Sequence, residues 1–327
     1  MKRRQYFGLF VILLAVMFAG MYGGSAKLSP GEFFSALLGQ GKETSLLIVW
    51  NLRLRRVLAG LLAGVGLSVA GCLLQTVTGN VLASPNIIGI NSGAGLAVIL
   101  TLTLAPSAGY LLPAAAFVGA FAAALVILGV SGRMSGGRAA ILLIGIAITT
   151  LLNAAISFLS LLDEGVLAQY NHFTVGSLKA VRLDELILPG LIIFVSFLAA
   201  MLLSRDLGLL CLGDSAAAAL GIRVKALRLG ALACAAASAA AVVSFAGLLG
   251  FVGLIVPHIA RRLAGERPAR MLPAAALTGA ILVIFADLLG RVAAAPSELP
   301  VGILMALVGA PYFLFLLLRR DRYAGIS

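Results

Sequence analysis

Ten long apolar runs recur along this chain, and they constrain its fold more than any other sequence feature. A run of about 20 apolar residues is long enough to cross the hydrocarbon core of a bilayer as a helix. Of the 327 residues, 61% are hydrophobic and 11% are charged, whereas soluble domains carry roughly 25% charged residues. A soluble cytosolic or secreted enzyme is therefore excluded, and the sequence indicates a polytopic membrane protein. The runs cover residues 7–24, 57–77, 88–105, 110–131, 139–161, 186–204, 229–249, 251–263, 272–292 and 300–318.

The expected fold class is all-α, with ten transmembrane helices in a single domain over residues 1–327. Backbone groups in lipid must be satisfied within the segment, and these runs lack the alternating pattern of barrel strands. The eighth run is short and contains Pro257, so it is the least regular crossing. The first run follows Lys2, Arg3 and Arg4 and has the outline of a signal peptide. We predict an uncleaved first span, with a cleaved signal peptide as the alternative.

The distribution of charge predicts the orientation. If the N-terminus is cytoplasmic and all ten runs cross, the inside segments hold 16 of the 24 basic residues and four of the 12 acidic ones. The inside then carries +12, while the eight basic and eight acidic residues outside cancel. This asymmetry is typical of a cytoplasmic-membrane protein. We therefore predict that both termini are cytoplasmic, and the net positive charge does not indicate nucleic-acid binding.

The many glycines predict close contact between the helices. The chain has 38 glycines, and some of them are spaced four apart, at 20 and 24, 60 and 64, and 132 and 136. Small residues at this spacing let the backbones of two helices approach each other in lipid. A compact helical bundle is expected.

The chain lacks the residues of an enzyme that drives transport. It has no G-x-x-x-x-G-K-[ST] phosphate loop. Asp287, near the end of the ninth run, precedes Arg291 by four residues, a spacing that favours an ion pair on one helix face. Two histidines and three scattered cysteines indicate neither a metal site nor a disulfide framework. We expect no catalytic residue, no cofactor and no bound metal, and a carrier driven by protons or sodium is disfavoured.

Three arginines just before the second run, Arg53, Arg55 and Arg56, lie on the predicted outer side. Such a cluster usually anchors a cytoplasmic loop. On the outer side it needs another explanation, and an acidic partner protein that docks there would provide one.

Two inside loops have several interpretations. Residues 78–86 are uncharged and rich in turn formers, which is typical of a turn that ends a helix or of the mouth of a pathway for polar cargo. Residues 212–221 predict a short helix, with alanines inside and a glycine near each end. That helix is either a solvated surface element or a docking element for a cytoplasmic protein.

Together these segments resemble the permease subunits of binding-protein-dependent ABC importers for ferric siderophores, haem and vitamin B12, the FecCD-type or type II importers. The resemblance extends from about residue 50 to 318. Pro257-His258-Ile259 and Glu298-Leu299-Pro300, which are distant in sequence, make it specific. It rests on residues 52–56, 75–85, 89–95, 175–178, 212–214, 220–221, 250–261, 286–291, 298–302 and 309–311.

Some positions depart from the family pattern. Val81 stands where the family usually has proline, Arg55 stands where a proline usually precedes the second arginine, and Ser215 stands where glutamate usually follows the Gly-Asp pair. Phe173 occupies the position of a frequent tryptophan. Roles at 55, 81 and 215 therefore do not transfer.

The resemblance implies roles for particular residues. Arg53, Arg56 and Arg291 would meet glutamates of an extracytoplasmic substrate-binding protein, and Asp287 would orient Arg291. Pro257 would bend the eighth helix, and His258 would cap or brace it. The remaining implied residues are the ATPase-coupling positions Leu212, Gly213, Asp214, Leu220 and Gly221, and the inner gate or pathway positions Gln75, Asn80 and Leu82.

The resemblance also implies partners and cargo. Two copies would form a homodimer in membrane lipid, with two ATP-binding subunits on the cytoplasmic face and no nucleic acid. The cargo would be a metal chelate, first of all a ferric siderophore, with haem and vitamin B12 as alternatives. Two functions of other classes remain as alternatives, an ion-coupled secondary transporter and a purely structural membrane scaffold.

Overall fold

The computed structural model describes residues 3–86, 89–133 and 137–324, and within them it contains helices and no strand. The predicted all-α class is confirmed. Each of the ten apolar runs falls on a helix. Ile88, in the third run, and Gly136, of the third glycine pair, lie outside the described residues.

The first half of the chain forms seven α-helices and two short turns of other helical types. These are α1 Arg3–Tyr22, α2 Pro30–Leu37, α3 Glu43–Leu46, a π-helical segment Leu47–Arg53, α4 Leu54–Thr78, α5 Ile90–Leu104, a 3-10 turn Gly109–Leu111, α6 Leu112–Arg133 and α7 Gly137–Ser160.

The second half forms eight more helices. These are α8 Glu164–Val175, α9 Leu183–Leu202, α10 Ser204–Leu210, α11 Asp214–Ala219, α12 Val224–Ala246, α13 Val252–Ala264, α14 Pro268–Ala293 and α15 Val301–Ala324.

Seven helical segments of the described chain are long and apolar enough to cross a membrane. The other three predicted runs fall on α5, on α13, which has 13 residues, and on the apolar part of α15, Val301–Phe315. The seven segments are Arg4–Tyr22, Glu43–Thr78, Gly109–Val130, Leu142–Ser160, Leu183–Leu210, Val224–Ala246 and Pro268–Ala293.

Helix α4 lies at the centre of the bundle, and its glycines let neighbouring backbones touch it. A Cβ added at Gly64 would lie 2.2 Å from the carbonyl oxygen of Gly279 in α14, and one added at Gly71 would lie 2.0 Å from that of Gly253 in α13. On the α12 side, Ser238 Oγ donates a hydrogen bond of 3.1 Å to the carbonyl of Gly66. The predicted close packing through the 60/64 glycine pair is therefore confirmed at Gly64.

A short helix after α1 shapes one end of the bundle. Ser29 caps α2 in a reciprocal capping box with Glu32, a signal that the sequence carries as Ser-Pro-Gly-Glu. Phe33 of α2 is fully buried, with its ring edge-on to Phe18 and Tyr22 of α1 at centroid distances of 5.7 and 5.2 Å. This packing holds the connection 23–29 beside the start of α4.

Several helix ends meet inside the bundle at the break between α12 and α13. Ser177 N donates to the carbonyl of Ala246 at 2.9 Å, and Gly302 N donates to that of Gly176 at 3.2 Å. At the start of α13, Phe251 has φ +64°, the left-handed conformation that side chains other than glycine rarely adopt. The ends of α8 and α12 and the starts of α13 and α15 therefore converge on one place.

Candidate functional site

The arginines predicted to dock a partner lie together at one end of the bundle, and they are buried. Arg53 is 4% exposed, Arg56 9% and Arg291 2%. Two carboxylates accompany them, Asp287 and Glu298. We call these five residues the arginine cluster.

Arg53 ties the end of α1 to the start of α4. Its guanidinium donates to the carbonyls of Met21, at 3.0 Å, and of Tyr22 and Ala26. The π-helical segment Leu47–Arg53 delivers the side chain to this position. The last carbonyls of a helix lack partners within the helix and carry partial negative charge, so a buried cation stabilises them.

Arg56 is paired with a carboxylate of its own chain. Its Nη2 lies 2.6 Å from Oε2 of Glu298, and the two side chains are 10% and 15% exposed. The other carboxylate oxygen, Oε1, accepts a hydrogen bond of 2.7 Å from Ser25 Oγ. Partial burial raises the pKa of Glu298, but the hydrogen bonds from Arg56 and Ser25 and the charges of Arg56 and Lys179 outweigh it, so that pKa lies below its usual value. Glu298 is therefore a charged partner.

Arg291 forms the ion pair with Asp287 that the spacing predicted. Its Nε lies 3.0 Å from Oδ2 of Asp287, and its Nη1 donates to the carbonyl of Gly23 at 3.0 Å. Its Nη2 is buried and has no hydrogen-bond partner among the described residues. A buried cationic donor without a partner is costly, and this nitrogen lies against α1, 3.6 Å from the position that a Cβ at Gly20 would take.

A basic cavity of about 170 Å³ opens onto the cluster. Its lining includes Arg53, Arg56, Arg291 and Lys179, against the single carboxylate of Glu298. The rest of the lining comes from the connection 24–26 and from Ile48 and Leu52. The cavity is of a size and charge to take an acidic side chain rather than a whole chelate.

A second cavity, of about 340 Å³, lies where the helix ends converge. Its polar lining is uncharged and comes from Asn86, Asn91 and Thr174, and Asn91 Nδ2 donates to Asn86 Oδ1 at 2.7 Å. Phe251 and Gly302 complete two of its walls. The sequence carried signals for this place in its Gly-Phe-Val-Gly and Asn-Ser-Gly segments, but nothing in the chain order shows that they meet.

The predicted gate residues occupy two different environments. Gln75 is 3% exposed, and its Nε2 lies 3.4 Å from the carbonyl of Leu254 in the first turn of α13. Asn80 follows α4, where its Oδ1 accepts from the amide of Leu82 at 2.9 Å. Gly79 ends α4 with φ +63°, so segment 78–83 is locally a turn that ends a helix. In α13, four residues after Leu254, His258 has a buried Nε2 without a hydrogen-bond partner among the described residues.

The predicted short helix in 212–221 is α11, which is six residues long. The flanking Gly213 and Gly221 have φ +109° and +84°, a conformation that glycine adopts readily. Leu212 and Leu220 are 66% and 59% exposed. Asp214, the first residue of α11, lies 2.8 Å from Nη2 of Arg228 in α12, so the short helix is attached to a long one.

No group of three or more His, Cys, Asp or Glu residues in the described ranges is placed to hold a metal ion.

Comparisons with known proteins show which family this chain resembles. Residues 11–319 match the model of the FecCD transport family. The chain is 38% identical over 308 residues to the permease protein YfmE of an Fe(3+)-citrate import system of Bacillus subtilis, covering 94% of this chain and 92% of that one. It is 37% identical to the hemin transport system permease HmuU of Yersinia pestis, covering 98% of each. A solved structure described as an inward-facing metal-chelate type ABC transporter superposes with TM-score 0.86 at 28% identity, covering 96% of this chain and 98% of the other.

Proposed function

Because this chain belongs to the FecCD transport family, we propose that it carries a ferric siderophore across the cytoplasmic membrane. The chain is the permease of an ABC importer for metal chelates. It is not an enzyme, since ATP is hydrolysed on a separate subunit. It is a protein of the inner, or cytoplasmic, membrane. The observation that carries the proposal is the family match over residues 11–319, in a chain whose described part has seven helical segments of membrane-spanning length.

The proposed topology has ten crossings with both termini in the cytoplasm. Contacts between distant residues support it. Tyr6 Oη donates to the carbonyl of Arg270 at 2.7 Å, which joins two segments predicted to be inside. Ser25, Arg56 and Glu298, all predicted to be outside, meet at the arginine cluster.

The proposed docking site for the substrate-binding protein is the basic cavity at the arginine cluster. The charge of the lining supports it, since four cationic side chains face the cavity against one carboxylate. Glutamates on the two lobes of the binding protein would each enter such a cavity, one on each permease copy. Complementary charge of this kind steers the encounter and sets its register.

The proposed contact with the ATP-binding subunit is α11 with its flanking residues Leu212, Gly213, Leu220 and Gly221. The two exposed leucines suit an apolar cleft on that subunit. The ion pair between Asp214 and Arg228 would pass motion of α11 to α12, whose far end reaches the second cavity.

The proposed pathway lies between two copies of this chain related by a two-fold axis, the commonest symmetry of homo-oligomers. The uncharged polar lining of the second cavity suits a bulky polar chelate. Gln75, Asn80 and Leu82 would close the inner end. The chelate would keep its own ligands on the iron throughout.

Haem and vitamin B12 are the alternative cargoes. A relative named for ferric citrate supports an iron chelate, and the relative named for hemin keeps haem as the alternative. An ion-coupled carrier needs ionisable residues at a helix break near the midplane. Asp287 is instead paired with Arg291 in the arginine cluster, which disfavours that class.

The cargo can be identified on the partner that selects it. The cognate binding protein, purified together with this permease from cells grown without added iron, should retain a ferric siderophore detectable by native mass spectrometry. Haem or a corrinoid in its place would overturn the cargo assignment and leave the importer class intact.

A further inference from the structure

The arginine best placed to receive a docking carboxylate is already occupied. Glu298 lies 2.6 Å from Arg56 and supplies the single carboxylate in a cavity lining that also holds four cations. An acidic side chain entering the cavity would therefore meet an acidic side chain of the permease itself.

We propose that Glu298 is an internal latch, which holds Arg56 while no binding protein is present and gives it up to the incoming carboxylate. The proposal rests on the docking role of the arginine cluster proposed above. The exchange replaces one ion pair by another, so Arg56 is never left buried and unpaired, a state that would be strongly destabilising. The displaced Glu298 gives up its hydrogen bond from Ser25 as well and gains water, since its side chain is already 15% exposed.

The position of Glu298 in the chain gives the latch a consequence for transport. It lies in the short connection between α14 and α15, whose Leu299 N donates to the carbonyl of Gly290 at 3.1 Å. Four residues after Glu298, Gly302 lines the second cavity and donates to the carbonyl of Gly176 at 3.2 Å. A Cβ added at Gly302 would lie 1.9 Å from the carbonyl oxygen of Val175, so the start of α15 is packed tightly against the end of α8. Release of Glu298 therefore loosens the start of α15 at the wall of the second cavity.

If Glu298 is a latch, removing its negative charge should strengthen binding of the substrate-binding protein. Glu298→Gln keeps an acceptor for Ser25 but removes the negative charge that competes for Arg56. We expect the purified permease–ATPase complex carrying this variant to bind the binding protein about tenfold more tightly at low salt. Microscale thermophoresis against the labelled binding protein measures the change. Equal or weaker binding would overturn the latch.

Matched variants separate the latch from other effects. Asp184→Asn removes an exposed carboxylate, paired with Arg182 and predicted to be on the same side of the membrane, and should leave the affinity unchanged. If Glu298→Gln does not fold, Ser25→Ala, which frees Oε1 without touching the charge, should still tighten binding about threefold. Unchanged binding of Ser25→Ala in that case would also reject the latch.

Different results would reject the proposed docking site and the proposed latch. If Arg56→Gln binds as well as the parent chain, the docking site is wrong and the latch falls with it. If Arg56→Gln weakens binding while Glu298→Gln fails to strengthen it, docking at the arginine cluster stands and the latch alone is rejected.

Discussion

Arg56→Gln is expected to weaken docking of the binding protein at least 30-fold and to abolish most uptake. Truncating one partner of a buried, hydrogen-bonded charge pair across an interface costs about 2–5 kcal/mol. Arg56 is the better test position than Arg53, because Arg53 holds the carbonyls of Met21, Tyr22 and Ala26 and its loss would disturb the fold itself. Binding is measured on the purified complex, and uptake is measured with radioactive iron in cells that lack the native permease.

Two further variants show whether the effect is on docking or on folding. Arg55→Gln removes the neighbouring cation, which donates to Asn51 of the preceding π-helical segment at 3.2 Å and does not line the basic cavity, so this variant should dock normally. Arg56→Gln combined with Glu298→Gln removes both buried charges together. The pair should recover the thermal stability of the parent but not its docking. Recovery of docking in the double variant would contradict the role of Arg56.

Gly71→Ala is expected to lower the melting temperature of the detergent-purified protein by about 5–10 °C and to eliminate transport. The added Cβ would lie 2.0 Å from a backbone oxygen in α13 and 2.7 Å from the Cα of the same residue, Gly253. Backbone cannot rotate away as a side chain can, so α4 and α13 must separate. Because α13 begins at the second cavity, the separation would also deform the pathway wall.

Gly129→Ala provides the comparison for that variant. Gly129 lies within α6, and a Cβ there would meet no described atom within 4 Å. Alanine favours a helix over glycine by about 1 kcal/mol, so this variant should melt at the same temperature or slightly higher. A parent-like melting curve for Gly71→Ala would contradict the backbone contact between α4 and α13.

Much of the fold could be predicted from the sequence, because each membrane-crossing helix requires a long run of apolar residues that is visible in the sequence. All ten runs fall on helices, and the helix expected in 212–221 is present as Asp214–Ala219. Four short helices between crossings, α2, α3, α8 and α10, were missed, even though Ser29 and Asp163 stand at the N-caps of α2 and α8. Too few of their residues form a continuous apolar run to register as spans.

The burial and ion pairing of the arginine cluster were harder to predict than which residues belong to it. Arg53, Arg56 and Arg291 were identified as one group, and the spacing predicted the pairing of Arg291 with Asp287, but the partners of Arg53 and Arg56 within the chain were not predicted. Arg56 and Glu298 are 242 positions apart, and no local pattern records such a pair. The π-helical segment that aims Arg53 has no sequence signature either. Burial of a charge depends on which distant segments close over it, and that is a property of the packed bundle.

The central claim is that this chain supplies only the membrane pathway, while recognition and energy come from other subunits. Its most direct test is uptake of the radioactive ferric chelate into proteoliposomes that contain the purified chain alone or together with the ATP-binding subunit, the binding protein and enclosed ATP. We expect accumulation against a gradient in the complete system and none with the chain alone, whether or not a proton or sodium gradient is imposed. Accumulation by the chain alone would contradict the claim.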